Sequence, residues 1–441
     1  MLRTYFLTFS GMILLYMLRA GYSYSKPYIK RQYQFSLLFL SLVDACQFIG
    51  LGLAFLLKYL LFDQTYSISQ FKTNGIVMVA AYFLIPLLPL LGSFSTHFDA
   101  FLLICSFLFG FLQFSFQPSL SKEMKRHYNK QDNQVMLECW DSGKHVGRIL
   151  GFVFMQVVII NFLFSWEASM IILMAATLVI ILLIYYYCDY SLGERAPERK
   201  PDTADITTGE FLSYAKQLMK MPTTRYYIIL TCFYKSLAYN FIYWISTFLF
   251  GFNYPQLSGK ASLAFIIPIF VGNFLVGKMH EDAIADQESL TNSNIFLILA
   301  GLLTFGGLAF LTSGPVNYIQ FVITIMLEGF LIGGFYNILA ANRGLCGEFD
   351  PRQKDMFDTF LKAVVNFSSA LVALAIGITL NFKLSLNHSN VDMGIFEVMK
   401  VVSLLAIVAI ILWIFAIYNK IDGEEQEDDW YFDYRIFDSH L

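Results

Sequence analysis

Charge is scarce in this sequence: Asp, Glu, Lys and Arg account for 14% of the 441 residues, against 57% hydrophobic residues. So little charge, with a mean hydropathy of +0.57, leaves too much apolar surface for a water-soluble chain of this length and points to a polytopic membrane protein. The charges nearly cancel, to a net -3, and no basic tract interleaved with aromatics suggests a nucleic-acid partner. Cysteine is scarce too. Cys46, Cys105, Cys139, Cys188 and Cys232 fall in or beside apolar runs and Cys346 lies in a predicted loop. None has metal-ligand spacing, so no metal is expected and the cysteines read as small apolar residues. Also missing are a nucleophile–base constellation, a metal-ligand cluster and a glycine loop fit to cradle phosphate, which argues against an enzyme and against a cofactor. No cleavable signal precedes the first apolar run, which is expected to act as an uncleaved anchor, and neither end carries a lipidation or retrieval motif.

What is there, instead, is a succession of apolar runs long enough to cross ~30 Å of hydrocarbon. They lie near 5–27, 35–62, 75–93, 99–120, 137–163, 168–189, 225–250, 262–279, 294–313, 317–341, 357–382 and 394–418. The reading is an all-α membrane protein of twelve transmembrane helices. The longest hydrophilic gap, Ser191 to Thr224 with Pro197 and Pro201, divides them six and six. The predicted domains are an N-terminal six-helix bundle (1–190), a cytoplasmic linker (191–224), a C-terminal six-helix bundle (225–418) and a tail (419–441). Putting both termini in the cytosol leaves only Lys26, Lys30, Arg31, Lys260 and Lys383 among the loop cations on the other side, as the positive-inside rule requires. The acceptor sequon Asn387-His388-Ser389 falls on that other side. The tail is acidic from Glu424 to Asp429, then aromatic at Trp430, Tyr431, Phe432 and Tyr434. It reads either as a solvated tail or as a docking site for another protein.

One stretch organises the rest. From Trp140 to Gly151 the chain reads Trp-Asp-Ser-Gly-Lys-His-Val-Gly-Arg-Ile-Leu-Gly. Gly143, Gly147 and Gly151 recur every four residues and form a small-residue stripe on a helix, which lets a neighbouring helix approach closely. Lys144 and Arg148 form the adjacent stripe. A charge facing lipid at membrane depth costs at least ~2.5 kcal/mol, so these two should face protein or a water-filled cavity, where they suit an anion. The alternatives are that both snorkel near a helix end, or that Lys144 pairs with Asp141 on the same face.

This stretch is similar to the W-N-x-x-x-x-V-G-x-x-x-G segment in the fifth helix of the sugar-phosphate exchangers, solute carrier family 37, and of their bacterial glycerol-phosphate and hexose-phosphate antiporter relatives. Tyr22-Ser23-Tyr24-Ser25-Lys26 is similar to their Y-x-x-S-R-K, with Lys26 on the arginine that binds phosphate. Phe233 to Trp244 resembles A-K-L-V-x-Y-x-F-x-Y-W and places Lys235, Tyr239 and Tyr243 on one helical face. Gly329 to Tyr336 resembles G-F-x-x-x-G-P-Y, with Phe335 for proline. Leu42-Val43-Asp44 resembles the family's Leu-Asp pair with Val43 inserted. Where the bacterial relatives have a substrate-contacting histidine stands Lys144, with His145 beside it. The arginine-rich cytoplasmic latch that such transporters carry is reduced at Leu61 to Tyr66 and at Gly277 to Asp282.

The resemblance implies a major facilitator fold with the substrate site between its halves. It implies exchange of a phosphorylated sugar or glycerol phosphate against inorganic phosphate by alternating access. A phosphate bridge between the halves needs fixed positive charge from both. Arg19, Lys26, Lys144 and Arg148 are the candidates in the first half; Lys235, Lys362 and Lys400 are those in the second. Lys26 and Lys235 are the expected clamp, with Arg19, Tyr22, Lys144, His145, Tyr239 and Tyr243 shaping the cavity. Interfacial anchoring is the alternative for Arg19 and Lys26, and an aromatic belt for the tyrosines. Asp44, Trp140, Gly143, Gly147, Arg148, Gly151, Glu328 and Lys362 are expected to be structural or gating. Asp44 should pair with Arg19 or with a base of the fourth or fifth span, and Glu328 should balance Lys362. The rival readings are a transport-degenerate docking subunit of a larger membrane complex and a carrier of another organic anion. The family's usual location implies the endoplasmic reticulum or another endomembrane, with the mitochondrial inner membrane as the alternative.

Overall fold

The computed structural model describes residues 2–57, 76, 79–80, 85–86, 98–127, 133–192, 208–251, 255–281, 287–313, 317–342, 346, 351–385 and 394–426. All the regular structure among them is helical. The helices are α1 (Leu2–Tyr33), α2 (Leu37–Leu56), α3 (Phe98–His127), α4 (Asn133–Gln156), α5 (Trp166–Leu192), α6 (Thr208–Lys220), α7 (Pro222–Gly251), α8 (Pro255–Glu281), α9 (Gln287–Ser313), α10 (Tyr318–Ala341), α11 (Pro351–Ser385) and α12 (Gly394–Gln426). A π-helical turn, Val157–Asn161, continues α4. Nine helical segments among the described residues are long and apolar enough to cross a membrane. Eleven of the helices coincide with predicted spans; the third predicted span falls largely outside the described residues. So do the Leu61 to Tyr66 loop, the Asn387 sequon and the aromatic tail. The run interrupted by Pro268 and Gly272 forms the continuous helix α8.

Local chemistry sets several helix ends. The Ser36 hydroxyl caps α2 by accepting from the Phe39 amide at 3.0 Å. Asn317 and Gln320 form a reciprocal cap at the start of α10: each side-chain oxygen accepts from the other's backbone amide, at 2.9 and 3.1 Å. The short helix α6 lies in the predicted linker and turns Phe211 and Leu218 inward. Its Phe211 packs with Met356, Leu56 and Phe360 beneath α2 and α11.

Packing repeats between the two halves. In the first half α1 lies against α4 and α5, and α2 against α3. In the second, α7 lies against α11 and α12, and α8 against α10. The glycines show why these pairs come so close. Gly50 faces the Phe107 carbonyl and Gly110 the Gln47 carbonyl; in the second half Gly272 faces the Phe330 carbonyl and Gly329 the Phe265 carbonyl. In each case a Cβ would collide with backbone, so only glycine permits the approach. The predicted stripe on α4 does the same against α1: Gly143 meets Phe9 and Met12, Gly147 meets Ile13 and Tyr16, and Gly151 meets Met17 and Ala20. Between the halves the contacts are α1 with α7, α2 with α11, and α4 with α8. A single buried cluster runs through both halves, joining Tyr16, Phe48 and Phe152 to Tyr243, Phe265 and Met399.

Candidate functional site

The stripe that seats α4 on α1 also aims the neighbouring stripe. With Gly147 against Tyr16, Arg148 lies over the Tyr16 ring, its guanidinium carbon 5.0 Å from the centroid. Arg19, three residues along α1 from Tyr16, covers the same ring at 5.8 Å. Two guanidiniums thus share one aromatic ring, where a cation over a ring gains ~0.5–2 kcal/mol each. Across the interface, Lys235 of α7 lies over Tyr336 of α10 at 4.9 Å.

Tyr239 sits at the centre. The charges of Lys235, Arg148, Arg19 and Lys144 all act on its hydroxyl. The polar groups acting on Arg19 are the hydroxyls of Tyr243, Tyr16 and Tyr239, and those acting on Lys235 are Tyr336, Tyr239 and Tyr227. Among the described residues Arg19, Arg148 and Lys235 take part in no ion pair. The Tyr243 hydroxyl lies near the Arg19 guanidinium, and neither that hydroxyl nor the Arg19 Nε makes a hydrogen bond among the described residues. Phe48 of α2 closes one side, stacked on Tyr239 at 6.0 Å and edge-on to Tyr243 at 5.3 Å. His145 meets Phe270 of α8 at 5.9 Å, also across the interface. The result is a polar cluster, called the chamber below, with cations from both halves, hydroxyls around them and, among the described residues, no carboxylate paired with Arg19, Arg148 or Lys235. Such a chamber suits an anion, because guanidiniums bind a phosphate or carboxylate group bidentately.

Lys26 is elsewhere. It is 0% exposed, and its ammonium forms an ion pair with Asp44 of α2. It also donates to the Tyr243 carbonyl at 3.0 Å and lies 4.2 Å from the Trp244 ring centroid. Lys26 is thus held by protein groups, and removing one partner of such a buried pair costs ~3–5 kcal/mol. Two expectations are corrected here. Asp44 pairs with Lys26 and not with Arg19 or a fourth- or fifth-span base, because Lys26 stands as far before the end of α1 as Asp44 stands after the start of α2, and the short turn between the helices puts the two at one depth. Glu328 does not pair with Lys362: both its carboxyl oxygens are buried without a hydrogen-bond partner, near Thr304 and Gly307 of α9, whereas Lys362 points over Phe55 of α2.

The remaining sites fall as follows. Tyr22 is buried at 1% beside Lys26, 5.9 Å from its ammonium. Lys400 donates to Thr312 of α9 at 3.1 Å, away from the chamber. The side chains of Trp140 and Asp141 lie outside the described residues. The sequence reading missed Tyr16, Tyr336 and Phe48, and gave Arg148 both as a first-half cation candidate and as a structural or gating residue; it stands over the Tyr16 ring beside Arg19. A signal for Tyr16 existed: it stands one turn before Arg19, on the face that the α4 glycines require.

Comparison with known proteins agrees with this architecture. Comparison with curated protein sequences yields no match. Among solved structures, a bacterial homologue of the human lysosomal transporter Spinster, inward-facing and unoccupied, superposes with a TM-score of 0.69 at 14% identity, covering 94% of this chain and 96% of that one. The nucleoside transporter NupG superposes with a TM-score of 0.67 at 13% identity, covering 94% of this chain and 98% of that one. At these identities the likeness concerns the fold alone. The profile of the Major Facilitator Superfamily matches residues 8–344, which is most of the sequence. The chain therefore belongs to the major facilitator superfamily, as a multi-pass membrane transporter and not an enzyme.

Proposed function

We propose that this transporter exchanges a phosphorylated sugar or glycerol phosphate against inorganic phosphate by alternating access. The observation that supports this reading is the set of cations without acidic partners among the described residues, Arg19 and Arg148 in the first half and Lys235 in the second, ranged around Tyr239. An anion held between them draws the halves together and neutralises charge that is costly at membrane depth, so a loaded carrier reorients more readily than an empty one. That asymmetry makes exchange, not net flow, the expected mode. Two guanidiniums on one tyrosine suit a phosphate's several oxygens, while Tyr239, Tyr243 and Tyr336 offer hydroxyls to a polyol. In this reading the clamp is Arg19, Arg148 and Lys235, with Lys144 and His145 at its edge.

The test is uptake of a radiolabelled sugar-phosphate panel into phosphate-loaded proteoliposomes, with Arg19→Gln and Lys235→Gln beside the unaltered protein. Uptake that needs internal phosphate and falls at least ~100-fold in both variants supports the reading. Uptake of non-phosphorylated organic anions alone would assign the chamber to another anion class. No uptake of any anion by well-folded protein would favour the docking-subunit reading.

A further inference from the structure

We propose that α6 is a membrane-surface helix whose lysines bind the headgroups of an anionic lipid leaflet, with Leu212 and Met219 seated among the acyl chains beneath them. This inference rests on the position and the faces of α6, not on the choice of substrate.

The position is set by the chain. α6 ends at Lys220, and Pro222 opens α7, whose apolar span starts at the same residue. A single residue between the two helices holds the end of α6 at the level where α7 enters the membrane. The other end is held by Phe211, which packs with Leu56 at the close of α2 and with Met356 and Phe360 near the start of α11. With the termini in the cytosol, as the positive-inside rule requires, this level is the cytoplasmic leaflet, which carries the anionic lipid.

The faces of α6 follow one another in a definite order. Phe211, Ala215 and Leu218 are buried and Tyr214 is half-buried, and these four form the inner face. Beside it stand Leu212 and Met219, within about 20° of each other round the helix. They are 58% and 37% exposed. Lys216 and Lys220, both exposed, follow about 40° and 80° beyond Leu212. Ser213, Gln217 and Glu210, the one acid of the helix, complete the circle. Buried apolar, exposed apolar, basic, polar: these are the layers met in turn by a helix lying flat at the edge of a bundle, namely protein, acyl chains, headgroups and water. In a helix that faced water alone, the stripe beside the buried face would be polar. An acidic protein partner would suit the lysines but not the apolar stripe set between them and the core.

A third cation stands just beyond. Arg225, on the first turn of α7, lies over the Tyr226 ring at 4.8 Å and donates to its hydroxyl at 3.2 Å, a pairing of the kind found at membrane interfaces. Among the described residues Lys216, Lys220 and Arg225 form no ion pair. One lysine held near an anionic surface strengthens attachment about fivefold.

The experiment is hydrogen–deuterium exchange mass spectrometry on the full chain in two sets of nanodiscs, one of phosphatidylcholine and one of phosphatidylcholine with phosphatidylserine. We expect exchange in segment 208–221 to be at least about fivefold slower with phosphatidylserine, and the difference to vanish in high salt. Lys216→Gln with Lys220→Gln should remove the difference and leave exchange in phosphatidylcholine unchanged. Lys260→Gln is the control: it removes an exposed cation near the start of α8 and should keep the difference whole. Leu212→Gln preserves helix propensity and should speed exchange of the segment in both lipids, because the apolar seat is lost. Equal exchange of the unaltered protein in both lipids overturns the proposal, as does a difference that survives in the double lysine variant or a Leu212→Gln segment that behaves as the unaltered one. Inorganic phosphate that slows the segment in phosphatidylcholine as much as phosphatidylserine does would assign the lysines to a soluble anion and overturn it too.

Discussion

The closest test of the packing argument is a pair of glycine substitutions that differ only in what surrounds them. A Cβ at Gly151 stands 2.8 Å from the Ala20 Cβ and 2.9 Å from both the Cα and the carbonyl oxygen of Met17. Two of these three atoms are backbone, so α1 as a whole must move. At Gly306 on α9 a Cβ meets nothing within 4 Å. Intrinsic helix propensity favours alanine over glycine by ~1 kcal/mol at either position, whereas overpacking costs ~1–3 kcal/mol. The two terms oppose each other at Gly151 and only the first acts at Gly306. Gly306→Ala should therefore be ~1 kcal/mol more stable than the unaltered protein, and Gly151→Ala between neutral and ~2 kcal/mol less stable. Thermal unfolding followed by tryptophan fluorescence in lipid nanodiscs ranks the three. A melting temperature for Gly151→Ala equal to that of Gly306→Ala would show that α4 does not press on α1 and would remove the reason for Arg148 to face the chamber.

Further expectations follow from single contacts. Arg19→Lys keeps the charge but loses the forked donor, so half-saturation by inorganic phosphate should rise ~10–100-fold in an exchange assay, with maximal rate less affected; an unchanged value would mean that Arg19 does not touch the anion. Asp44→Asn strands the Lys26 ammonium and should cost ~3–5 kcal/mol, seen as a large drop in melting temperature, while Glu328→Gln removes a buried carboxyl that makes no ion pair among the described residues and should leave it unchanged or higher. The reverse order would mean that the two buried acids had been assigned the wrong roles. Ser36→Ala removes the α2 cap and should lower stability by ~1 kcal/mol, with Ser36→Asn close to the unaltered protein.

How much of this was legible in the sequence varies with the kind of information involved. Eleven spans could be located because each is a continuous apolar run, and that signal is local. The face holding Lys235, Tyr239 and Tyr243 was legible for the same reason: a four-residue spacing defines one side of one helix. The glycine stripe of α4 announced a close neighbour but not which helix it was. Lys26 shows the limit. Its spacing resembles a phosphate-binding position, yet its environment is made by Asp44, 18 residues away, and by Tyr243, 217 residues away, with Trp244 beside it. No local pattern records that meeting. Glu328 and Lys362 were joined by charge alone, and charge carries no direction: the first turns toward α9 and the second toward α2.

The seam between α2 and α11 has a mechanical meaning. At Gly52 a Cβ would stand 3.2 Å from the Phe367 ring and 3.3 Å from the Ala363 carbonyl oxygen, and at Gly377 3.1 Å from the Leu38 Cα. The two helices thus touch most closely at two points, each emptied by a glycine, one supplied from either side. A shift by one turn, ~5.4 Å, would bring Phe48 or Leu56 to the place of Gly52, where neither fits. The line of α2 and α11 resembles an axle: these contacts oppose sliding along it but not rolling or tilting about it. About one helix diameter from this axle, ~10 Å, a tilt of about 10° displaces a facing group by roughly 2 Å. That is enough to part a hydrogen bond of ordinary length, such as those from Ser23 and Ser246 between α1 and α7.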